Sequence, residues 1–274
     1  MTEQRSALGP QGDVSALDFS VVVPFFDEED NVDALVDELA EVLPPLGRFE
    51  VLAINDGSRD RTEERLLARA RSLPWLRVIS LEQNRGQSAA IACGFDHVRA
   101  PIVLMMDGDM QNDAHDFGRM LQVLESADGV SGIRAERKDG FVRRASSKIA
   151  NKVRNWISGD RVVDSASGIK GFRTEIVRAL PRFKGMHRFL PTLARIVGAR
   201  VVEIPVNHRP RAAGQAKYGV LNRVFKAFVD LCGVRWLKSR YIDYAAHEVT
   251  GERSVAGESR DATDHTRAKR GPAA

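Results

Sequence analysis

The feature that most restricts this chain is its alternation of short, unbroken apolar runs with amphipathic stretches. The runs at 19–25, 49–55, 76–81 and 102–106 are rich in Val, Ile, Leu and Phe. They are too short for buried helices, which predicts strands covered on both faces. Between them, residues 31–43, 61–72 and 87–98 carry apolar residues at helical spacing, and Pro44 and Pro45 close the first of these. Strand–helix alternation of this kind predicts an α/β, Rossmann-like domain with a mainly parallel central sheet. The second half is less regular. It predicts a helix over 141–157, a strand over 201–207 and a helix over 220–241, and there is no internal repeat.

A chain of 274 residues with 43% hydrophobic content suits one such domain with a short appendage. The polar, Gly- and Ser-rich ends predict disordered tails at 1–17 and 245–274. That leaves the α/β domain at 18–218 and an amphipathic helical segment at 219–244. Cys93 and Cys232 make neither a disulfide framework nor a zinc spacing. The first residues lack the apolar core of a signal peptide. No stretch approaches the roughly 18 apolar residues of a membrane span, so the expected location is cytoplasmic. The net charge of +4 is unevenly placed, with an acidic run over 27–41 and basic stretches over 134–161 and 200–240. That asymmetry implies an anionic partner on one face. No nucleic-acid-binding module accompanies it, so no nucleic-acid partner is expected.

In open α/β sheets, ligands bind beyond the carboxyl ends of the strands. Three polar clusters fall there: Pro24 to Glu28 after the first strand, Asn55 to Ser58 after the second, and Asp107 to Gln111 after the fourth. Asp107 and Asp109, two residues apart, can hold Mg2+ or Mn2+, hard cations that favour oxygen, and Gln111 can add a carbonyl oxygen. The same Asp-Gly-Asp would also serve as a plain turn. Asp56 can accept hydrogen bonds from a base or ribose, or cap the helix that follows. Glu28 can favour the next helix's amino terminus. Gly86 admits close backbone approach to a ligand, or a simple turn. His97, His115, His187 and His208 show no metal spacing and read as structural.

The ordered set VVVPFFDEEDN, NDGSRDRT, NRGQSAA and MMDGDMQND resembles the family 2 glycosyltransferases of the GT-A fold. The later DSASGIKGFR and HRPRAAGQAKYG resemble one branch, the dolichyl-phosphate mannosyltransferase-like enzymes that load a sugar onto a polyprenyl phosphate. The chain departs from that branch at Phe26 and Asp27, at Ile169 and at Ala216, where the branch usually has Tyr-Asn, Phe and Ser.

The resemblance implies a metal-dependent, inverting transfer from a nucleotide sugar to a polyprenyl phosphate. Asp107, Asp109 and Gln111 would hold Mg2+ or Mn2+. Pro24, Phe26, Glu28, Asp56, Gly86, Asp107 and Lys217 would bind the donor. Arg134, Arg143, Ser147 and Arg211 would bind the acceptor phosphate, and Asp107, Asp109, Arg143 and Arg211 would be catalytic. Asp164 and Ser167 would shape a turn near the acceptor. The basic helix over 141–157, with Trp156 at headgroup level, would be a membrane-interface helix. The segment over 220–241 would lie on the same surface or dock on a small integral-membrane partner. Two rival readings share the motifs: transfer to a hydroxyl of a polysaccharide or lipid, and a non-catalytic nucleotide-binding or membrane-scaffold protein.

Overall fold

The computed structural model describes residues 17–134, 167–209 and 220–242. The expected tails, the helix over 141–157 and the boundary at 218/219 lie outside these residues, apart from position 17. The elements described below belong to one unit, Met1–Tyr241; a second, Ile242–Ala274, falls almost wholly outside the described residues.

Strands β1 (Phe19–Phe25), β2 (Phe49–Asn55), β3 (Leu76–Ser80) and β4 (Ile102–Met105) form where the apolar runs predict them. Helices α1 (Val32–Val42), α2 (Thr62–Ala70) and α3 (Gln87–His97) separate them. There follow α4 (Phe117–Leu124), β5 (Gly129–Arg134), β6 (Lys170–Arg173), α5 (Thr174–Ala179), α6 (Leu190–Ile196), β7 (Val201–Val206) and α7 (Val220–Arg240).

The sheet has seven strands in the order β3-β2-β1-β4-β6-β5-β7. It is mixed, though mostly parallel: β6 runs antiparallel to both β4 and β5, and every other pairing is parallel. Residues alternate between the two faces along each strand. Val21, Val23 and Phe25 join one core with Leu35 and Leu39 of α1 and with Phe117 and Met120 of α4. Val22, Leu52 and Ile54 point the other way, into a second core with Ile91 and Phe95 of α3, Leu190 and Leu193 of α6, and Leu231 and Val234 of α7.

This topology sets the site. β1, β2 and β4 are parallel, so their carboxyl ends share one edge of the sheet. Two reversals through β6 return β5 to the same direction, and β7 follows β5. The same edge therefore also carries Arg134, the start of β6, and the segment after Val206. At the opposite edge lies a buried charge network. Ser20 Oγ (2.7 Å), Arg77 (2.6 Å) and the Arg99 N–H (2.8 Å) all donate to the Glu50 carboxylate.

The acidic run over 27–41 does not stand alone. Asp27 pairs with Arg59 at 2.7 Å, Glu29 with Arg61 at 3.1 Å and Asp33 with Arg65 at 2.8 Å, and Asp37 pairs with Arg69. Each arginine lies 32 residues after its acid. One stretch is thereby zipped to the next along α1 and α2.

Candidate active site

The crevice is built from the loops at the carboxyl edge. After β1, Phe26 lies under the Arg59 guanidinium, 5.4 Å from its ring centroid, a cation–π contact. Asp27 takes a left-handed conformation, with φ at 51°, which is uncommon outside glycine. The Glu28 carboxylate accepts from the Asn31 side chain at 2.6 Å, just ahead of α1, and its own N–H donates to Thr62 Oγ1 at 2.9 Å.

After β2, Asp56 is buried. Its Oδ1 accepts from the Arg85 N–H at 2.7 Å, and its Oδ2 from the Gly86 N–H and the Asn84 side chain, both at 2.8 Å. A carboxylate offers about four acceptor positions, so Asp56 spends most of its capacity holding the turn that opens α3. Burial pushes its carboxyl above the ordinary range, against the lowering effect of the Arg85 and Gly86 N–H groups. Gly86 has φ at 89°, a conformation open to glycine at little cost.

Ser88, in the first turn of α3, accepts from the Gly185 N–H at 2.9 Å and shares a 2.7 Å hydrogen bond with His187 Nδ1. Burial, reinforced by the positive charges of Arg188 and Lys170, pushes the His187 pKa down to about 4. The ring is therefore neutral at physiological pH.

After β4, Asp107 Oδ1 accepts from Gln87 Nε2 at 2.7 Å. Its Oδ2 lies 2.1 Å from where a Cβ on Gly168 would sit, so only glycine fits there. Asp109 is buried, and its Oδ1 accepts from the Gln111 N–H at 3.3 Å. Met110 between them is left-handed, with φ at 61°. The loop thus carries two carboxylates and an amide side chain, oxygen groups of the kind that Mg2+ and Mn2+ favour.

That loop is clamped from the far end of the chain. Arg209 donates its N–H to Gln111 O at 2.8 Å, and its guanidinium pairs with Glu38 at 2.5 Å and Asp113 at 2.9 Å. The Asn207 N–H donates to Asp116 Oδ2 at 2.7 Å. Glu38, Asp113 and His115 offer three ligand atoms within 4.8 Å of one another, a group that could hold a metal ion. No spacing in the sequence signals it, because Glu38 comes from α1. Burial acts against the Asp113 charge, yet hydrogen bonds from His115 and the field of Arg209 hold its carboxyl below the usual range.

The structure thus places Pro24, Phe26, Glu28, Asp56, Gly86, Asp107, Asp109, Gln111 and Arg134 in loops or strand ends along one edge. Arg143, Ser147, Arg211 and Lys217 lie outside the described residues. Sequence reasoning missed Gln87 and Arg209, whose partners are remote in the chain, whereas it reads His187 as structural.

The family profile described as glycosyl transferase family 2 matches residues 20–181. A dodecaprenyl-phosphate galacturonate synthase from Rhizobium johnstonii is 36% identical over 237 residues, covering 82% of this chain and 69% of that protein. An undecaprenyl-phosphate 4-deoxy-4-formamido-L-arabinose transferase from Edwardsiella ictaluri is 31% identical over 209 residues, covering 75% of this chain and 64% of that protein. Among solved structures, the fold resembles a Mycobacterium tuberculosis glucosyl-3-phosphoglycerate synthase in complex with Mn2+, uridine diphosphate and phosphoglyceric acid. The TM-score is 0.61 at 19% identity, over 83% of this chain and 80% of that one. It also resembles a Pyrobaculum calidifontis mannosyltransferase in complex with GDP-Man and Mn2+, with a TM-score of 0.57 at 17% identity, over 78% of this chain and 62% of that one.

Proposed function

The chain belongs to glycosyl transferase family 2, and from that premise we propose that it moves a sugar from a nucleotide-sugar donor to a polyprenyl phosphate. The observation that carries this reading is the extended likeness to two sugar transferases whose names specify a polyprenyl phosphate. The acidic loop after β4 supports it.

An acceptor phosphate oxygen attacks the anomeric carbon, the bond from that carbon to the diphosphate breaks, and the configuration inverts. A phosphate monoester has a second pKa of about 6, so the acceptor is already largely dianionic at neutral pH. No side chain has to remove a proton, and the protein's task is positioning and charge balance. Asp107, Asp109 and Gln111 would hold Mg2+ or Mn2+, which when bound neutralises charge on the departing diphosphate. We place the ion there rather than at Glu38 and Asp113 because Arg209 already balances those two carboxylates. Arg134, at the end of β5, reaches the same edge and is assigned to the acceptor phosphate with Arg143, Ser147 and Arg211. Arg suits this role because its planar fork grips phosphate at two points. Lys217 is assigned to the donor diphosphate. Pro24, Phe26, Glu28, Asp56 and Gly86 frame the nucleoside.

Among the described residues no helix is long and apolar enough to cross a membrane. α7 exposes Val229 and Trp236 beside Arg235, Lys238 and Arg240, a combination suited to an anionic headgroup layer. We assign the protein to the surface of the membrane's cytoplasmic face, with the basic segment over 141–157 as a second contact and a small integral-membrane partner as an alternative anchor.

The test is incubation with a panel of nucleotide sugars and a polyprenyl phosphate, with Mn2+ or Mg2+. The expected product is a lipid-linked sugar phosphate whose formation a chelator stops. Transfer to a hydroxyl acceptor but none to polyprenyl phosphate would replace the acceptor assignment. Absence of any metal-dependent donor turnover would remove the enzymatic reading.

A further inference from the structure

We infer that Gln87 is a positioning residue for the metal site, setting the orientation of the Asp107 carboxylate before any ion arrives. The inference rests on the placement of the ion at Asp107 proposed above. The backbone of Gln87 is bracketed by fixed neighbours. On one side Asp56 holds Asn84, Arg85 and Gly86. On the other, Ser88 is tied to His187 and to the Gly185 N–H. The first turn of α3 is therefore held in place from both sides of position 87. Gln87 itself is exposed and contributes little to the core, yet its amide donates to Asp107 Oδ1 at 2.7 Å. On the far side of the same carboxylate, the absent side chain of Gly168 leaves room for Oδ2 and for nothing larger. A donor on one oxygen and a wall beside the other leave Asp107 little rotational freedom. Loss of a group that orients a ligand in this way typically costs about 10–100-fold in metal affinity or activity.

The experiment compares wild type, Gln87→Met and Asp107→Ala. Methionine keeps the length of glutamine and loses the donor. Mn2+ affinity is measured by electron paramagnetic resonance with no nucleotide present, the thermal midpoint without metal, and kcat as Mn2+ is raised. Gln87→Met should keep the wild-type midpoint while binding Mn2+ roughly tenfold more weakly. Its activation curve should shift to higher Mn2+ by the same factor, with kcat recovering at saturation. A residue with a purely structural role would move the midpoint and leave the metal curve in place. Wild-type Mn2+ affinity in folded Gln87→Met, with Asp107→Ala impaired, overturns the role of Gln87 alone. Wild-type affinity in Asp107→Ala overturns the metal placement and the inference together.

Discussion

Asp109 lies within the loop after β4 and Gly168 packs against that loop, and each makes a distinct demand on it. Asp109→Asn exchanges the anionic group proposed as a metal ligand for a neutral one at a buried position. Transfer should be abolished while the circular dichroism spectrum stays that of wild type; turnover by the folded variant would take the ion away from this loop. Gly168→Ala leaves the ligands intact but puts a methyl group 2.1 Å from the Asp107 carboxylate and 2.7 Å from the Asn112 amide. The carboxylate must rotate away, so the activation midpoint for Mn2+ should rise several-fold or more. An unchanged midpoint would mean the pocket beside Gly168 yields freely. His187 concerns stability. Its pKa falls from 6.5 to about 4 on folding. Between those values the unfolded chain carries a proton that the native protein lacks. Stability therefore rises with pH through that window; this contribution is complete above about 6.5 and is lost as pH falls towards 4. At its largest it is about 3 kcal/mol. His187→Leu should flatten the dependence of the urea midpoint between pH 4 and 6.5, and an undiminished slope would assign the effect elsewhere.

The two charge networks of the sheet and its helices should differ sharply in weight. In the α1–α2 ladder, Arg59 is 77% exposed and Asp37 65%, and such pairs contribute roughly 0–1 kcal/mol and weaken with salt. Asp37→Ala should therefore move the urea midpoint only slightly. Glu50, 5% exposed, is another matter. Glu50→Ala deprives Arg77, Ser20 Oγ and the Arg99 N–H of their shared acceptor, at a cost of several kcal/mol, up to about 3–5; equal losses from the two variants would contradict this ranking. The first four strands and three helices were legible in the sequence because β1, β2 and β4 are nearly continuous apolar runs, and β3, though only Leu76 of it is buried, is still mostly apolar. β5 and β6 were not. GVSGIR and KGFR hold three glycines, a serine and a buried lysine, residues of low strand propensity that take their conformation from their neighbours. α6 hid behind Pro191 in its first turn, where proline is tolerated. At the site, the clusters after β1, β2 and β4 could be foreseen because parallel strands deliver their ends to one edge. Gln87 with Asp107, and Arg209 with Glu38, could not, because side-chain meetings across distant segments leave no periodic trace.

At the scale of the molecule, α7 exposes Val229 and Trp236 among the basic residues Arg235, Lys238 and Arg240, and we propose that this surface meets the membrane. The protein should co-sediment with vesicles containing anionic lipid at low salt, and added salt should release it. Trp236→Ala, which removes a side chain 63% exposed, should weaken that binding further. Failure to bind such vesicles at low salt would count against surface attachment through α7. The Arg209 clamp has a consequence in time. Glu38 leaves the ribosome 171 residues before the arginine that neutralises it, roughly 9–34 s at about 5–20 residues per second. By then β1, β2, β3 and β4 have all been made and can pair. Throughout that interval Glu38 lacks its guanidinium, and from the moment they are made Asp113 and the loop after β4 also wait for their partners at 207–209. The loop proposed to hold the ion thus sets only after residues 207–209 have been made. In a nascent chain stalled before Arg209, the Ala114 amide, which in the finished protein donates to Glu38 at 2.8 Å, should exchange its hydrogen freely while the amides of β1 are already protected.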